Sequence, residues 1–315
     1  MFWLLRAAKK LRERGILGMN RRNAAYILDH NPRRLYPLVD DKMRMRDLCV
    51  RIGVPTPEIY GEIKCYAELR RFQDFLGQGD DFVVKPSNGS AGRGVLVIMG
   101  RTPEGYVRHS GEILPPDKLR QHFSAILSGM YSLGGRPDRA LIQQRVRLHP
   151  AFEPLSYKGI PDLRIILYRN EPAMAMLRLP TKASNGRANL HQGGLGAGVG
   201  LDDGRTHHAV QRNRAVLEHP DTGASVVGMR VPYWNHVLEM SRRVAEAVGL
   251  GYLGVDIVVD ADQGPMLLEA NARPGLAIQI ANNRGLWPRL LEIDAKLDRT
   301  KSQNRLGIEH QRQAA

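Results

Sequence analysis

The chain has 315 residues, 43% apolar and 25% charged, which is enough to bury a sizeable interior and too ordinary for a disordered or fibrous protein. Its 46 lysines and arginines outnumber 32 acidic residues, and the net charge of +14 favours an anionic partner: a nucleotide, an acidic peptide or polymer, nucleic acid or a lipid headgroup surface. Cys49 and Cys65 lack paired spacing, which excludes a disulfide framework and a cysteine-based metal site, and no uncharged apolar run approaches the roughly 20 residues that cross a bilayer. The opening MFWLLRAAKKLRERG has too short an apolar stretch for a signal peptide, so cytoplasmic residence is the expectation.

In that opening, Trp3, Leu4, Ala7, Ala8 and Leu11 recur at helical spacing, with Arg6, Lys9, Lys10, Arg12 and Arg14 between them. Such a basic amphipathic helix suits either an anionic membrane surface or the protein's own core. Residues 20–41 carry scattered turn signals, and from Lys42 the pattern KMRMRDLCVRIG predicts a helix with Met45, Leu48, Cys49 and Ile52 on one face, ended by Gly53. A second helix is predicted over 66–76. Apolar runs at 82–84 and 95–99 then flank Lys85 and a loop with Gly89, Gly92, Arg93 and Gly94, the pattern of a hairpin with a long tip. Two readings of that tip stand side by side: a surface hairpin, or a lid whose free N–H groups close over a phosphate.

Further along, the pattern predicts a helix over 115–130, a strand in ALIQQRVRL, and a central hairpin of strands 162–168 and 173–179. The second Gly-rich run, HQGGLGAGVG at 191–200, reads as a flexible loop or as a segment closing over a ligand. A helix over 235–248 ends at Gly249, strands 253–259 and 265–269 follow, and the polar tail after Lys296 is expected to fray. Asp256 within LGVDIVV, and Glu269 and Asn271 ending MLLEAN, meet at one end of a sheet if those two strands pair. An ionised carboxylate there needs a partner. Three hard oxygen donors suit Mg²⁺; a buried bridge from Asp256 or Glu269 to Arg164 or Arg273 is the competing reading. His191, His207 and His208 have no third partner at zinc-ligand spacing.

No GxxxxGK[ST], no strand–GxGxxG–helix and no HRD or DFG triplet occurs, which sets aside P-loop, Rossmann and protein-kinase sites. The order Lys42, Lys85 with its Gly loop, IQQRV, Asp162-Leu163-Arg164, Asp256 and then EANARPGL resembles the ATP-grasp superfamily of ligases over residues 41–286. DLR followed by RANLHQGG is similar to the glutamate-ligase-like branch, related to ribosomal-protein glutamate ligases and sugar-transfer-associated ATP-grasp proteins. The resemblance implies an α+β fold in which two α/β lobes with antiparallel sheets enclose the nucleotide. A helical extension at 1–40 stands in place of a full preceding domain, followed by a small lobe with the lid at 41–140, a large lobe with the metal site at 141–295 and a tail at 296–315.

It also implies roles. Lys42 and Lys85 would contact the nucleotide; Ser87, Gly89, Ser90, Gly92, Arg93 and Gly94 would cover its phosphates; Gln143, Gln144, Arg145 and Val146 would read the adenine edge; and Glu153 would hold the ribose. Asp256, Glu269 and Asn271 would bind two Mg²⁺, with Mn²⁺ as a substitute. Arg164 and Arg273 would face the transferred phosphoryl, and Asn189 with the Gly run after it the acyl or amine substrate. The implied activity is ADP-forming carboxylate–amine ligation through an acylphosphate, attaching glutamate or another amino acid to a peptide, small molecule or cell-envelope precursor. Its substrates would be anionic, with a partner protein able to supply recognition, peripheral membrane contact through residues 1–15 and no specific nucleic acid. Two alternatives stay open: an ATP-grasp phosphotransferase acting on a polysaccharide or metabolite, and a basic nucleic-acid or membrane binding module without catalysis.

Overall fold

The inner strands of this protein are apolar almost throughout because they are covered on both faces, whereas those toward the sheet edges are partly polar and exposed. The computed structural model describes residues 2–76, 79–89 and 92–313. Two antiparallel sheets organise them. The smaller contains β1 (Ile59–Ile63), β2 (Phe82–Pro86), β3 (Leu96–Thr102), β4 (Gly105–Arg108), β5 (Ile113–Leu114) and β6 (Ala140–Gln143), in the order β1-β6-β2-β3-β4-β5. The larger contains β7 (Asp162–Tyr168), β8 (Glu171–Leu179), β9 (Leu195–Val199), β10 (Thr206–Gln211), β11 (Arg214–Val216), β12 (Tyr252–Asp260) and β13 (Gly264–Asn271), in the order β11-β10-β9-β8-β7-β12-β13.

Side-chain alternation sorts the large sheet's residues onto two cores. Leu163, Ile165 and Leu167 of β7 join Met45, Leu48 and Cys49 of helix Lys42–Arg51, and Val237 and Val244 of helix Trp234–Val248. Their neighbours Ile166 and Tyr168 point the other way, onto Tyr26, Ile278, Leu286 and Leu290. The small sheet is covered by helix Pro116–Leu127, whose Leu119, Phe123 and Ile126 pack with Phe72, Phe82 and Ile98. Asp41 starts helix Lys42–Arg51 by accepting from the backbone N–H of Met43 at 2.9 Å and of Arg44 at 3.3 Å. Gly249, at φ +72°, ends helix Trp234–Val248 in the left-handed conformation that the expected C-cap needs.

Four expectations change. The Gly-rich run is no loop over a ligand: Leu195–Val199 is the buried strand β9, paired on both sides, and a Cβ on Gly198 would come within 2.7 Å of Asn282 Cα. Glycine is there for close packing. Residues 19–40 are helical in pieces, including a π-helix at Arg22–Leu28 held by Tyr26 and Ile27 in the core. The segment Tyr66–Phe75 is a 3₁₀ helix broken at Arg71, and the polar tail continues helix Trp287–Gln313.

Candidate nucleotide and metal site

Lys42 and Lys85 come from different layers and converge. Lys42 opens the helix laid on the large sheet, and its Nζ donates to the carbonyls of Ser87 at 3.2 Å and Gly89 at 2.7 Å, at the root of the Gly loop. Lys85 lies on β2 of the small sheet. Burial and the like charge of Lys42 push its ammonium down to about 7, with Glu269 of the large sheet pulling the other way. Burial also lowers Lys42, against the attraction of Glu269, Asp138, Asp41 and Asp40. Among the described residues Lys85 has no ion-pair partner. Two half-buried cations from different layers thus stand at the root of the Gly loop.

The loop between β2 and β3 is anchored on both sides. The Asn88 backbone N–H and side-chain amide donate to Asp138, the latter at 2.8 Å, and Gly89 bridges to Ser132. On the far side His122 Nε2 bonds the Gly94 carbonyl at 3.0 Å, and Gly94, at φ +72°, lies so near Tyr131 that a Cβ would meet the ring at 2.6 Å. Ser87 is buried, Gly92 and Arg93 are exposed, and Ser90 lies outside the described residues.

The carboxylates are set by register. Asp256 on β12 faces Glu269 on β13 and Arg164 on β7. Its carboxylate accepts from Arg164 Nε at 2.7 Å and Nη2 at 2.5 Å, and from Arg178 Nη2 at 2.8 Å. Arg178 Nε also bonds Asp162, its partner across the β7–β8 pair. Burial pushes both acids up, but the outcome differs. Asp256 has two guanidinium groups, which overrule burial and hold it below the usual carboxylate range. Asp162 shares one and feels Asp256 beside it, so burial prevails and raises it to about 7. The bridge between Asp256 and Arg164, set against a metal site on sequence grounds, is therefore formed. Arg178 is the residue the sequence reading missed.

Other assigned residues spread wider. Arg273 is exposed, its guanidinium 4.9 Å above the Tyr36 ring, so the expected phosphoryl ligands are placed apart: Arg164 on Asp256, Arg273 on Tyr36. Asn189 Oδ1 accepts from the His191 N–H at 3.0 Å and caps the turn before β9. Residues 143–147 carry the chain from the small sheet to the large. Gln143 is buried with its Oε1 unpartnered, Gln144 bonds Glu58 through backbone and side chain, and Arg145 pairs with Asp81 at 2.7 Å. Val146 packs with Val258 and Met266, flanked by Ile160 and Leu268, and the Arg147 N–H donates to Asp260 at 2.7 Å. Glu153 is exposed in the turn Pro150–Leu155.

Mg²⁺ fits the donor set by chemistry. Asp256, Glu269 and Asn271 offer hard oxygens, and Asn271 donates its Nδ2 to Glu269 Oε1 at 3.2 Å, which leaves its carbonyl oxygen as the group that can coordinate. Among the described residues no three His, Cys, Asp or Glu side chains are grouped to hold a metal, and a site here would draw on the Asn271 amide as its third donor.

A family model described as sugar-transfer associated ATP-grasp matches residues 21–295. The chain belongs to that ATP-grasp family. Its mixed α/β architecture with two antiparallel sheets accords with the ATP-grasp fold. Solved structures similar to this ATP-grasp chain include the ligase PsnB with its minimal precursor, at 16% identity and a TM-score of 0.46, covering 84% of this chain and 61% of PsnB. D-cycloserine synthetase DcsG matches at 16% identity and 0.43 over 82% of this chain and 73% of its own. The D-alanine–D-alanine ligase of Bacillus anthracis matches at 14% and 0.44 over 84% and 70%. The chain thus spans about three fifths of PsnB's length. No curated protein sequence matches it.

Proposed function

We propose that this ATP-grasp chain is an ATP- and Mg²⁺-dependent carboxylate–amine ligase that works in the cytoplasm, releases ADP, and joins glutamate or another amino acid to a peptide, small molecule or cell-envelope precursor. The observation that carries the reading is the pair of lysines, 42 and 85, brought from two layers to the root of the Gly loop, Lys85 without an ion-pair partner among the described residues. A triphosphate would pair with both. The apolar patch of Val146, Val258 and Met266 beside residues 143–147 suits the purine, and the unpartnered Gln143 Oε1 can accept from its amino group.

Asp256, Glu269 and Asn271 are the residues that would hold Mg²⁺, which when bound neutralises phosphate charge during transfer. A substrate carboxylate oxygen attacks the γ-phosphorus, the bond to the β–γ bridging oxygen breaks, and acylphosphate and ADP result. The amine then attacks the acyl carbon, phosphate leaves with the C–O bonding pair, and the amine's proton passes to solvent. Arg164 and Arg178, released from Asp256, are the cations that can follow the moving phosphoryl charge. Closure of the loop between β2 and β3, anchored through Asn88 and Gly94, would exclude water from the acylphosphate.

The deciding experiment measures nucleotide product with mixed carboxylates and amines. ADP release that needs both, absent in Glu269→Gln, supports the proposal. AMP formation overturns it, and so does steady turnover without any amine to a stable phosphorylated product that hydroxylamine does not trap as a hydroxamate.

A further inference from the structure

Three segments meet at one guanidinium to which the nucleotide reading gives no task. Arg139 stands immediately before β6; its Nη2 lies 2.6 Å from Asp41 Oδ2, and its Nη1 lies 2.7 Å from Glu62 Oε1 on β1. The same Nη2 donates to the Ser87 hydroxyl at 3.3 Å, and the Arg139 carbonyl accepts the Ser87 N–H at 2.9 Å. The three charged side chains keep 32%, 19% and 13% of their surface exposed for Arg139, Asp41 and Glu62, so water screens this fork less than it does a surface pair.

Arg139 grips both sides of the Lys42 contact. Asp41 precedes Lys42 in the chain, and its Oδ1 caps the helix on the N–H groups of Met43 and Arg44, so a fixed Asp41 fixes the point where the Lys42 side chain leaves the first turn. Ser87 carries one of the carbonyls that accept from Lys42 Nζ. Asp41 begins the helix packed on the large sheet, whereas Glu62 and Ser87 belong to the small sheet and the loop that leaves it, so Arg139 spans two layers where Lys42 does. An ammonium has three donors. Two are given to the carbonyls of Ser87 and Gly89, which leaves one for a phosphate oxygen. A lysine stem is flexible, and aiming that last donor costs less when the base of the stem is already held.

We propose that Arg139 is a positioning residue for the nucleotide: through Asp41 and Ser87 it sets Lys42 against the loop root, so that the ammonium meets the phosphates of Mg-ATP with little further ordering. The proposal rests on the nucleotide reading of Lys42 given above.

The test is calorimetric titration of Mg-ATP into the full chain as the parent, Arg139→Gln, Lys42→Met and the double variant. Arg139→Gln raises the Kd about fivefold to tenfold, Lys42→Met raises it about tenfold or more, and the double variant stays within about twofold of Lys42→Met. Asp41→Asn gives a second route, because asparagine caps a helix as well as aspartate does but offers Arg139 no charge. Its Kd rises as in Arg139→Gln, and the same cycle with Lys42→Met is run on it if Arg139→Gln does not fold. Losses that multiply in the double variant overturn the proposal, since Arg139 would then act on packing at large and not through Lys42. Parent affinity in folded Arg139→Gln or in Asp41→Asn overturns it too. A failed nucleotide reading looks different: Lys42→Met keeps the parent's affinity, or the parent binds no Mg-ATP, and either result removes the ground of both.

Discussion

Replacing Lys85 with methionine should stabilise the free protein and abolish its response to nucleotide. Burial and Lys42 bring the ammonium down from 10.5 to about 7, and at about 1.4 kcal/mol per unit this costs the folded chain on the order of 4 kcal/mol at neutral pH. The sign follows from proton counts. Below pH 7 the lysine is charged in both states and the cost is full. Between 7 and 10.5 the folded chain releases its proton first, so wild-type stability climbs with pH across that window. Methionine fills much the same space without the charge. Urea unfolding at pH 6, 7, 8 and 9 should therefore find Lys85→Met more stable than the parent at pH 6, with the difference shrinking as pH rises. Mg-ATP at about a hundred times its Kd adds about 2.7 kcal/mol to the parent and nothing to the variant. A variant that is less stable at pH 6, with a parallel pH profile and an intact Mg-ATP response, would refute the reasoning, since Lys85 would then be a satisfied structural lysine.

Other outcomes follow from neighbouring geometry. Arg178→Met leaves Asp162 with no guanidinium and Asp256 with one, and should lower stability by about 3–5 kcal/mol in denaturant titrations. Gly198→Ala places a methyl 2.7 Å from Asn282 Cα; it should cost about 1–3 kcal/mol while Mg-ATP affinity by calorimetry stays unchanged, the reverse of what a lid residue would show. Asp138→Asn weakens the anchor of Asn88, and should raise the Kd for Mg-ATP several-fold while the melting temperature falls by only a few degrees. Gln143→Leu removes the unpartnered buried acceptor and should narrow the preference for ATP over GTP in thermal-shift titrations without lowering the stability of the free protein.

Much of the fold could be read in the sequence where periodicity was strong. The hairpin of β7 and β8, the pair β12–β13 and helix Trp234–Val248 stand within a few residues of their expected positions. Asp256 and Glu269 do meet, because pairing of two apolar strands leaves register few choices. The misses have physical causes. Glycines carry no apolar pattern, so LGAGV could not announce itself as a buried strand, although its contacts with Leu190 and Asn282 are what require them. Arg178 sits near the end of an apolar strand, where a charged residue reads as a boundary; only the cross-strand position of Asp162 gives it a task. Residues 19–40 were hidden by Asn31-Pro32 and Tyr36-Pro37, since short helical pieces tolerate turn residues between them. Arg273 followed the metal donors in sequence, but the turn after β13 carries it to Tyr36.

The double clasp of Arg164 and Arg178 on Asp256 bears on the order in which this protein matures. Many metal centres are knots of like charge that cannot form until the ion arrives, so that loading and folding are one event. Here the acid is already matched by cations carried on strands β7 and β8. The large sheet can therefore close on a newly made chain that has met neither metal nor nucleotide, and if Asp256 is a ligand of the proposed Mg²⁺, a chelator should remove the ion without unfolding the sheet. Loading would then be an exchange of counterions within a finished scaffold.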